Sequence, residues 1–361
     1  MSDTNYTSFN YQNIKSEFIS GLYVSNEDQH AREILVTGSN QRIPLEWESI
    51  LGSWKFENTQ QMLIFQKPVN YFHLKVEIIG AGASDATKGF SFIVHQPKEE
   101  NETRAFLKNK TITFLGCARS CIDAIPHTLD IIQKIGTLFK EYSVAVFEND
   151  SNDGTKELLF DLERKGELKL IQHDNLDQAL PLRTQRISFG RNRLHSFVQD
   201  NPTDYFCVID MDGILAAGID LRDGFISCFS YEPCWDAVFP INAGIYYDIW
   251  ALRHSELCPT DYERQMNLAC PTIGNTNILD RYLHSLQNLD FTKMSGWLKV
   301  DSAFGGIGIY KTSAFKYSDY YGFRDGYQMC EHVSFHQKAA LNGASLYINP
   351  KFIAGKVRDL A

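Results

Sequence analysis

The chain of 361 residues is 43% hydrophobic and 22% charged, with a formal net charge of −9, which is the composition of a globular protein able to build one large core and a smaller second domain. The acidic balance and the lack of any Lys/Arg block exclude a general attraction to nucleic acid or anionic lipid. No apolar run approaches the length that spans a bilayer, so no transmembrane segment is expected.

The N-terminus, MSDTNYTSFNYQ, is polar and carries no apolar signal-peptide core. Cys117, Cys121, Cys207, Cys228, Cys234, Cys258, Cys270 and Cys330 form no CxxC pair and sit largely in apolar segments. Reduced, buried thiols and a cytoplasmic location are the expectation. Up to about residue 108, β-rich runs such as Gln61 to Gln66, Tyr71 to Ile79 and Phe90 to Val94 alternate with Pro68, Gly80, Gly82 and Gly89. This pattern reads as a small antiparallel β domain over 1–108. Its aromatics Trp47, Trp54, Phe65, Tyr71 and Phe72 leave three roles open: core packing, homo-oligomerisation and sugar stacking. The polar run His95 to Arg104 reads as a linker into a second domain over 109–361.

That domain opens with Thr111 to Ala118, a short apolar strand, then a helical-period stretch from Ala124 to Lys140, then the strand Ser143 to Phe147. Together they are one βαβ unit. The second strand runs into Glu148-Asn149-Asp150-Ser151-Asn152-Asp153-Gly154-Thr155, followed by a helix over Lys156 to Lys165 with Asp153 or Thr155 as its cap. Ligands of open α/β sheets bind at such strand ends. Further on, Tyr205 to Leu215 (YFCVIDMDGIL) ends an apolar strand on Asp210 and Asp212. Residues i and i+2 of an extended chain point the same way, so both carboxylates can face one Mg2+ or Mn2+ ion together with substrate phosphates. Two other readings fit the pair alone: a turn or cap, and a dehalogenase-type phosphatase with Asp210 as nucleophile and Asp212 as acid/base.

The ordered set of motifs resembles glycosyltransferases of the GT-A fold, in which a strand ending in Asp-Asp-Gly-Ser-x-Asp-Gly-Thr precedes an Asp-x-Asp metal motif. Gly190-Arg191-Asn192-Arg193-Leu194 is similar to the Ala-Arg-Asn element of family 2. The variants Glu148-Asn149-Asp150-Ser151 and Arg191-Asn192-Arg193 look closer to capsule-type transferases, including the capsule-associated mannosyltransferase group. The resemblance covers about residues 110–350. It implies an α/β, Rossmann-like GT-A domain preceded by the β-rich one, and metal-dependent transfer from a nucleotide-diphosphate sugar to a glycan or lipid-linked acceptor in surface polysaccharide synthesis. Asp210 and Asp212 would hold the ion, Mn2+ or Mg2+. Arg191, with Arg186 or Arg183, would neutralise the diphosphate, while Glu148, Asp150 and Asp153 meet the nucleoside and Ala118, Arg119 and Met211 complete that surface. Asn149-Asp150-Ser151 is also a glycosylation sequon, and a glycan there would obstruct such a site.

Downstream, a helix is expected to start at Asp223 and a strand to cover Trp235 to Ile241, with Cys258 to Ser295 as an insertion over the cleft. Val300 to Tyr310, rich in small residues, allows close backbone approach to a ligand but lacks a phosphate-binding P-loop. Cys330 to His336 opens a helix running to Gly343. Glu331 corresponds in order to the carboxylate base of family 2, with Asp301 as the alternative, and His332 or His336 is a candidate third metal ligand. The phosphatase reading conflicts with the strands that precede the metal motif. A non-catalytic glycan-binding protein would leave Asp210, Asp212 and the 148–155 loop without a role.

Overall fold

The computed structural model describes side chains for residues 97–215, 220–232, 234–244, 246–255, 257–265, 291 and 297–355, and, before residue 96, the backbone of seven strands. The chain divides into two compact units, Met1–Lys98 with Met294–Trp297, and Glu99–Lys293 with Leu298–Ala361. In the first unit the strands are β1 (Tyr6–Gln12), β2 (Ile19–Asn26), β3 (Arg32–Ser39), β4 (Ser49–Phe56), β5 (Gln60–Val69), β6 (His73–Ile79) and β7 (Phe90–His95). They pair antiparallel in two sheets, ordered β1-β6-β3-β4 and β5-β2-β7. Trp47, Tyr71, Phe72, Cys270 and most of the expected 258–295 insertion lie outside the described residues.

The expected linker is in part a helix, α1 (Glu100–Leu107). A capping box joins Glu99 and Glu102, Arg104 pairs with Glu100 at 2.8 Å, and Leu107 is fully buried. Reciprocal capping satisfies two of the helix's unpaired N–H groups, which lets a strongly polar stretch hold a helix.

The second unit is built on an eight-stranded sheet ordered β10-β9-β8-β11-β14-β12-β17-β13. Its strands are β8 (Thr111–Ala118), β9 (Glu141–Asn149), β10 (Lys169–His173), β11 (Tyr205–Ile209), β12 (Ala237–Ala243), β13 (Leu298–Val300), β14 (Ile307–Lys311) and β17 (Leu346–Lys356); the two-residue strands β15 (Phe323–Arg324) and β16 (Tyr327–Gln328) form a separate hairpin. β8 to β11 are mutually parallel, β14 is antiparallel to β11 and β12, and β17 is parallel to β12. The α/β expectation holds. All five residues of β11 are buried, as a strand covered on both faces requires, and this explains its continuous apolar run.

The helices are α2 (Ile125–Gly136), α3 (Thr155–Arg164), a single-turn α4 (Leu176–Ala179), α5 (Arg183–Asp200), α6 (Leu221–Ser230) and α7 (Glu331–Leu341). Phe206 of β11 and Tyr310 of β14 are register partners, and their rings stack 4.8 Å apart. Phe315 and Phe335 extend this cluster at 6.2 and 6.3 Å from Phe206, and it anchors the first turns of α7 against the sheet. Each fully buried Phe contributes roughly 1.5–3 kcal/mol of hydrophobic stabilisation.

Candidate active site

The carboxyl ends of β9, β8 and β11 lie side by side, and the antiparallel β14 brings its amino end to the same edge. The backbone there turns through two consecutive left-handed glycines, Gly305 (φ 78°) and Gly306 (φ 88°), a conformation that side chains with a Cβ resist. Gly306 carbonyl accepts the Asp210 N–H at 2.9 Å. Gly305 N–H donates to Asp248 Oδ2 at 3.0 Å. A cavity of about 420 Å³ opens at this edge, with Asp210, Asp212, Arg191, Glu331, His332 and Asp248 among its walls.

At its centre one guanidinium bridges two carboxylates. Arg191 Nε donates to Glu331 Oε1 at 2.9 Å and Nη2 to Asp210 Oδ1 at 3.2 Å. The Arg191 and Glu331 side chains are 6% and 8% exposed and Asp210 is 26% exposed. The guanidinium also lies over the Phe304 ring, 5.2 Å from its centroid. Burial opposes the charge on Arg191, yet Glu331, Cys117 and Asp210 hold its pKa well above the usual value. Burial pushes the Asp210 carboxyl up to about 7 against the pull of Arg191, with Asp212, Asp248 and Glu331 adding to the rise. Asp248 is pushed up to about 6 by burial, opposed by the N–H groups of Gly305 and Ala251. The site thus concentrates carboxylates around one buried cation.

Asp210 and Asp212 do share the cavity, though not through strand geometry. β11 ends at Ile209, and the next residues bend. Met211 is 1% exposed, and its Sδ and Cγ fill the space beside Gly116, where an added Cβ would sit 2.6 Å away. Met211 therefore anchors the bend and leaves the flanking carboxylates toward the cavity. Asp212 is exposed and makes no hydrogen bond or ion pair with the described residues.

The histidines separate. His332 lines the cavity, stacks on Phe304 with ring centroids 3.8 Å apart, and is 2% exposed; neither ring nitrogen makes a hydrogen bond, and Nε2 stands 3.6 Å from Glu331 Oε1. Burial, then Arg191 and His336, hold its pKa well below the ordinary value, so the ring is neutral. His336 is corrected as a metal candidate: its Nδ1 and Nε2 hydrogen bond to Ser302 Oγ at 2.8 Å and Tyr310 OH at 3.1 Å inside the core. Asp301 is likewise removed from this site, since it is exposed and lines a different cavity. Among the described residues no three His, Cys, Asp or Glu side chains are grouped to hold a metal ion. Asp212 and Asp210 by themselves suit a divalent cation that takes one or two carboxylates and fills its other positions from phosphate and water.

Most of the 148–155 loop serves its own architecture. Asp153 accepts the N–H groups of Thr155 at 3.1 Å and Ile122 at 3.2 Å, and so acts as a turn and cap residue. Asp150 (φ 53°) accepts from Asn175 at 2.6 Å, Asp177 at 3.1 Å and Asn149 at 3.0 Å. These hydrogen bonds outweigh partial burial and lower its pKa. Glu148 is fully buried; Oε1 accepts Ser151 N–H at 2.9 Å and Oε2 has no partner. Asn149, not singled out as a ligand from the sequence, lines the cavity with Ala118 and Arg119.

Arg191 lines the cavity together with Arg183 and Arg186; two carboxylates engage its Nε and Nη2, while its Nη1 has no hydrogen-bond partner among the described residues. Arg186 Nη1 is fixed by the carbonyls of Leu180 and Pro181 at 2.8 and 2.7 Å, whereas Arg183 is exposed. Asn192, beside Arg191, clasps the Tyr320 backbone, donating to its carbonyl and accepting its N–H, both at 2.8 Å.

The chain is similar to a number of solved structures. They include a mannosyltransferase from Pyrobaculum calidifontis in complex with GDP-Man and Mn2+ (13% identity, 73% of this chain, 64% of that one, TM-score 0.42) and S. aureus TarS (14%, 68% and 60%, 0.40). Glucosyl-3-phosphoglycerate synthase from Mycobacterium tuberculosis, in complex with Mn2+ and UDP, is a third (14%, 73% and 76%, 0.38). The chain spans less than two thirds of the length of the first two. The likeness is low in shape as in sequence and assigns nothing to individual residues here. No protein family and no curated protein matches the sequence.

Proposed function

We propose that the second unit transfers a sugar from a nucleotide-diphosphate donor to a hydroxyl of a glycan or lipid-linked acceptor. One observation carries this reading: a strand-end cavity that sets Asp210 and Asp212 beside exposed Arg183 and a further, buried carboxylate, Glu331. Asp212 and Asp210, with His332 beside them, would hold Mn2+ or Mg2+. When bound, such an ion supplies charge for the departing diphosphate. Arg183 and Arg186 face the same phosphates, and a guanidinium fork suits that contact.

Glu331 serves as base if transfer inverts the anomeric centre. Its Oε1 takes the Arg191 hydrogen bond, which keeps the carboxylate oriented and leaves Oε2 to accept the acceptor proton. The capsule-type sequence resemblance supports a surface-polysaccharide acceptor. A cytoplasmic location fits the sequon: Asn149 is 7% exposed and its amide donates to Asp150, so a glycan has no room there. Among the described residues no helix is long and apolar enough to cross a membrane.

The test is a donor panel of GDP-, UDP- and dTDP-sugars with and without Mn2+, reading release of free nucleoside diphosphate. Ion-dependent release from one donor class is expected. Phosphate release from simple phosphomonoesters without any donor turnover would overturn the reading in favour of a phosphatase.

A further inference from the structure

A second cavity, of about 890 Å³, adjoins the first. Three segments wall both. Trp250 lines the first cavity and Arg253 the second; Phe304 the first and Asp301 the second; Cys330 the first and Met329 the second. Helix α7 divides them, with Glu331 and His332 facing the donor cavity while Val333, Gln337, Ala340 and Leu341 face the other. Residues spaced by four, three and one lie on one helical face.

The lining of the second cavity mixes apolar with polar side chains and carries no excess charge, since its three arginines, Arg253, Arg264 and Arg324, are matched in number by three aspartates, Asp261, Asp301 and Asp325. Arg253 is committed, donating to Asp261 Oδ2 at 2.7 Å and to the carbonyls of Trp250 at 3.0 Å and Leu252 at 2.7 Å. Arg264 lies over the Tyr327 ring, 4.9 Å from its centroid, and Arg324 Nε stands 3.7 Å from Asp325 Oδ2. Among the described residues Arg264 makes no ion pair, and its charge is held against the Tyr327 ring. Gln265, Gln328, Gln337 and Thr260 add uncharged groups that both donate and accept. An aromatic ring edged by amides and balanced charges matches the apolar ring faces and hydroxyl rims of a pyranose chain.

We propose that this second cavity binds a neutral oligosaccharide, the portion of the acceptor remote from the hydroxyl that receives the sugar. The acceptor role rests on the transferase reading above; saccharide binding does not. The experiment titrates the full-length protein, without donor or metal, with maltopentaose, mannopentaose and chitopentaose, and separately with inorganic phosphate. At least one pentasaccharide is expected to bind. Tyr327→Ala should weaken it roughly tenfold, and Gln337→Glu, which brings an unpaired charge into the cavity, should do the same while thermal unfolding stays unchanged. Donor binding should be unaffected in both variants. Failure of all three saccharides, equal affinity in wild type and both variants, or saturable phosphate binding at this cavity would overturn the proposal. Tyr327-dependent saccharide binding in a protein that binds no nucleotide sugar would keep this site and remove the transferase reading. Donor turnover without saccharide binding would do the reverse.

Discussion

Replacing Arg191 by Gln removes the cation that bridges Asp210 and Glu331 while keeping a planar hydrogen-bonding side chain. Breaking a buried ion pair by deleting one partner costs about 3–5 kcal/mol, because the partner charge is left uncompensated. Here two carboxylates are stranded, one of them 8% exposed and the other 26% exposed. Solvent reaches Asp210, which puts the expected loss at the lower end, ~3 kcal/mol. For a unit of this size that is a fall in Tm of roughly 6–12 °C. Differential scanning calorimetry in metal-free buffer measures it. Mn2+ should then restore more Tm to Arg191→Gln than it adds to wild type, since an ion at Asp210 replaces the missing positive charge. A double-mutant cycle with Asp210→Asn isolates the pair, and the double variant should lose less than the sum of the singles. An Arg191→Gln protein with wild-type Tm and no extra response to Mn2+ would refute the account of Arg191 as the clamp of this site.

Glu331→Gln should bind donor and ion as wild type does but turn over ~10²–10⁴-fold more slowly if the product anomer, read by NMR, is inverted; full activity would remove Glu331 as base. His195 is buried, and burial pushes its pKa down from 6.5 to about 4, so the unfolded chain binds its proton first and stability is lost as pH falls from 6.5 toward 4. That loss is at most about 1.4 kcal/mol per pH unit, and denaturant titrations of His195→Gln should show a slope shallower by up to this amount. A fragment beginning at Glu99 should keep donor binding, whereas one beginning at residue 109 should unfold at lower temperature because it lacks α1, whose Leu107 is fully buried. Equal Tm for the two fragments would show that α1 adds nothing to the unit.

The βαβ opening and β11 were legible because buried parallel strands read as continuous apolar runs; Asp210 and Asp212 were legible as polar residues at a strand end, but not the bend at Met211 that turns them toward the cavity. Helix α5 was not, beyond its Arg191-Asn192-Arg193 element. Its buried face carries Thr184, Ser188, Arg191 and His195, so the hydrophobic period that announces a helix is interrupted by buried polar residues, of which Arg191 lines the cavity. β17 contains Pro350 and shifts register against β12, which hides its strand pattern. Asp248 and Phe304 were missed as site residues because only the chain reversal at Gly305 and Gly306 brings them to the β11 edge. The loop acids Asp150 and Asp153 match a ligand motif and are also engaged by nearby N–H groups, and sequence order cannot distinguish the two uses.

The most direct test of the central claim is the affinity of the full-length protein for the donor that the panel selects, measured by calorimetry with and without Mn2+ in wild type and in Asp212→Asn. Asp212 is exposed and makes no hydrogen bond or ion pair with the described residues, so the substitution should leave the fold, and hence Tm, unchanged. Wild type should bind the donor more tightly with Mn2+, and the variant should lose that enhancement along with about a hundredfold in transfer rate, the effect of ~3 kcal/mol of lost charge stabilisation. An Asp212→Asn protein with undiminished Mn2+-dependent binding and turnover would contradict the assignment of this strand end as the ion and donor site.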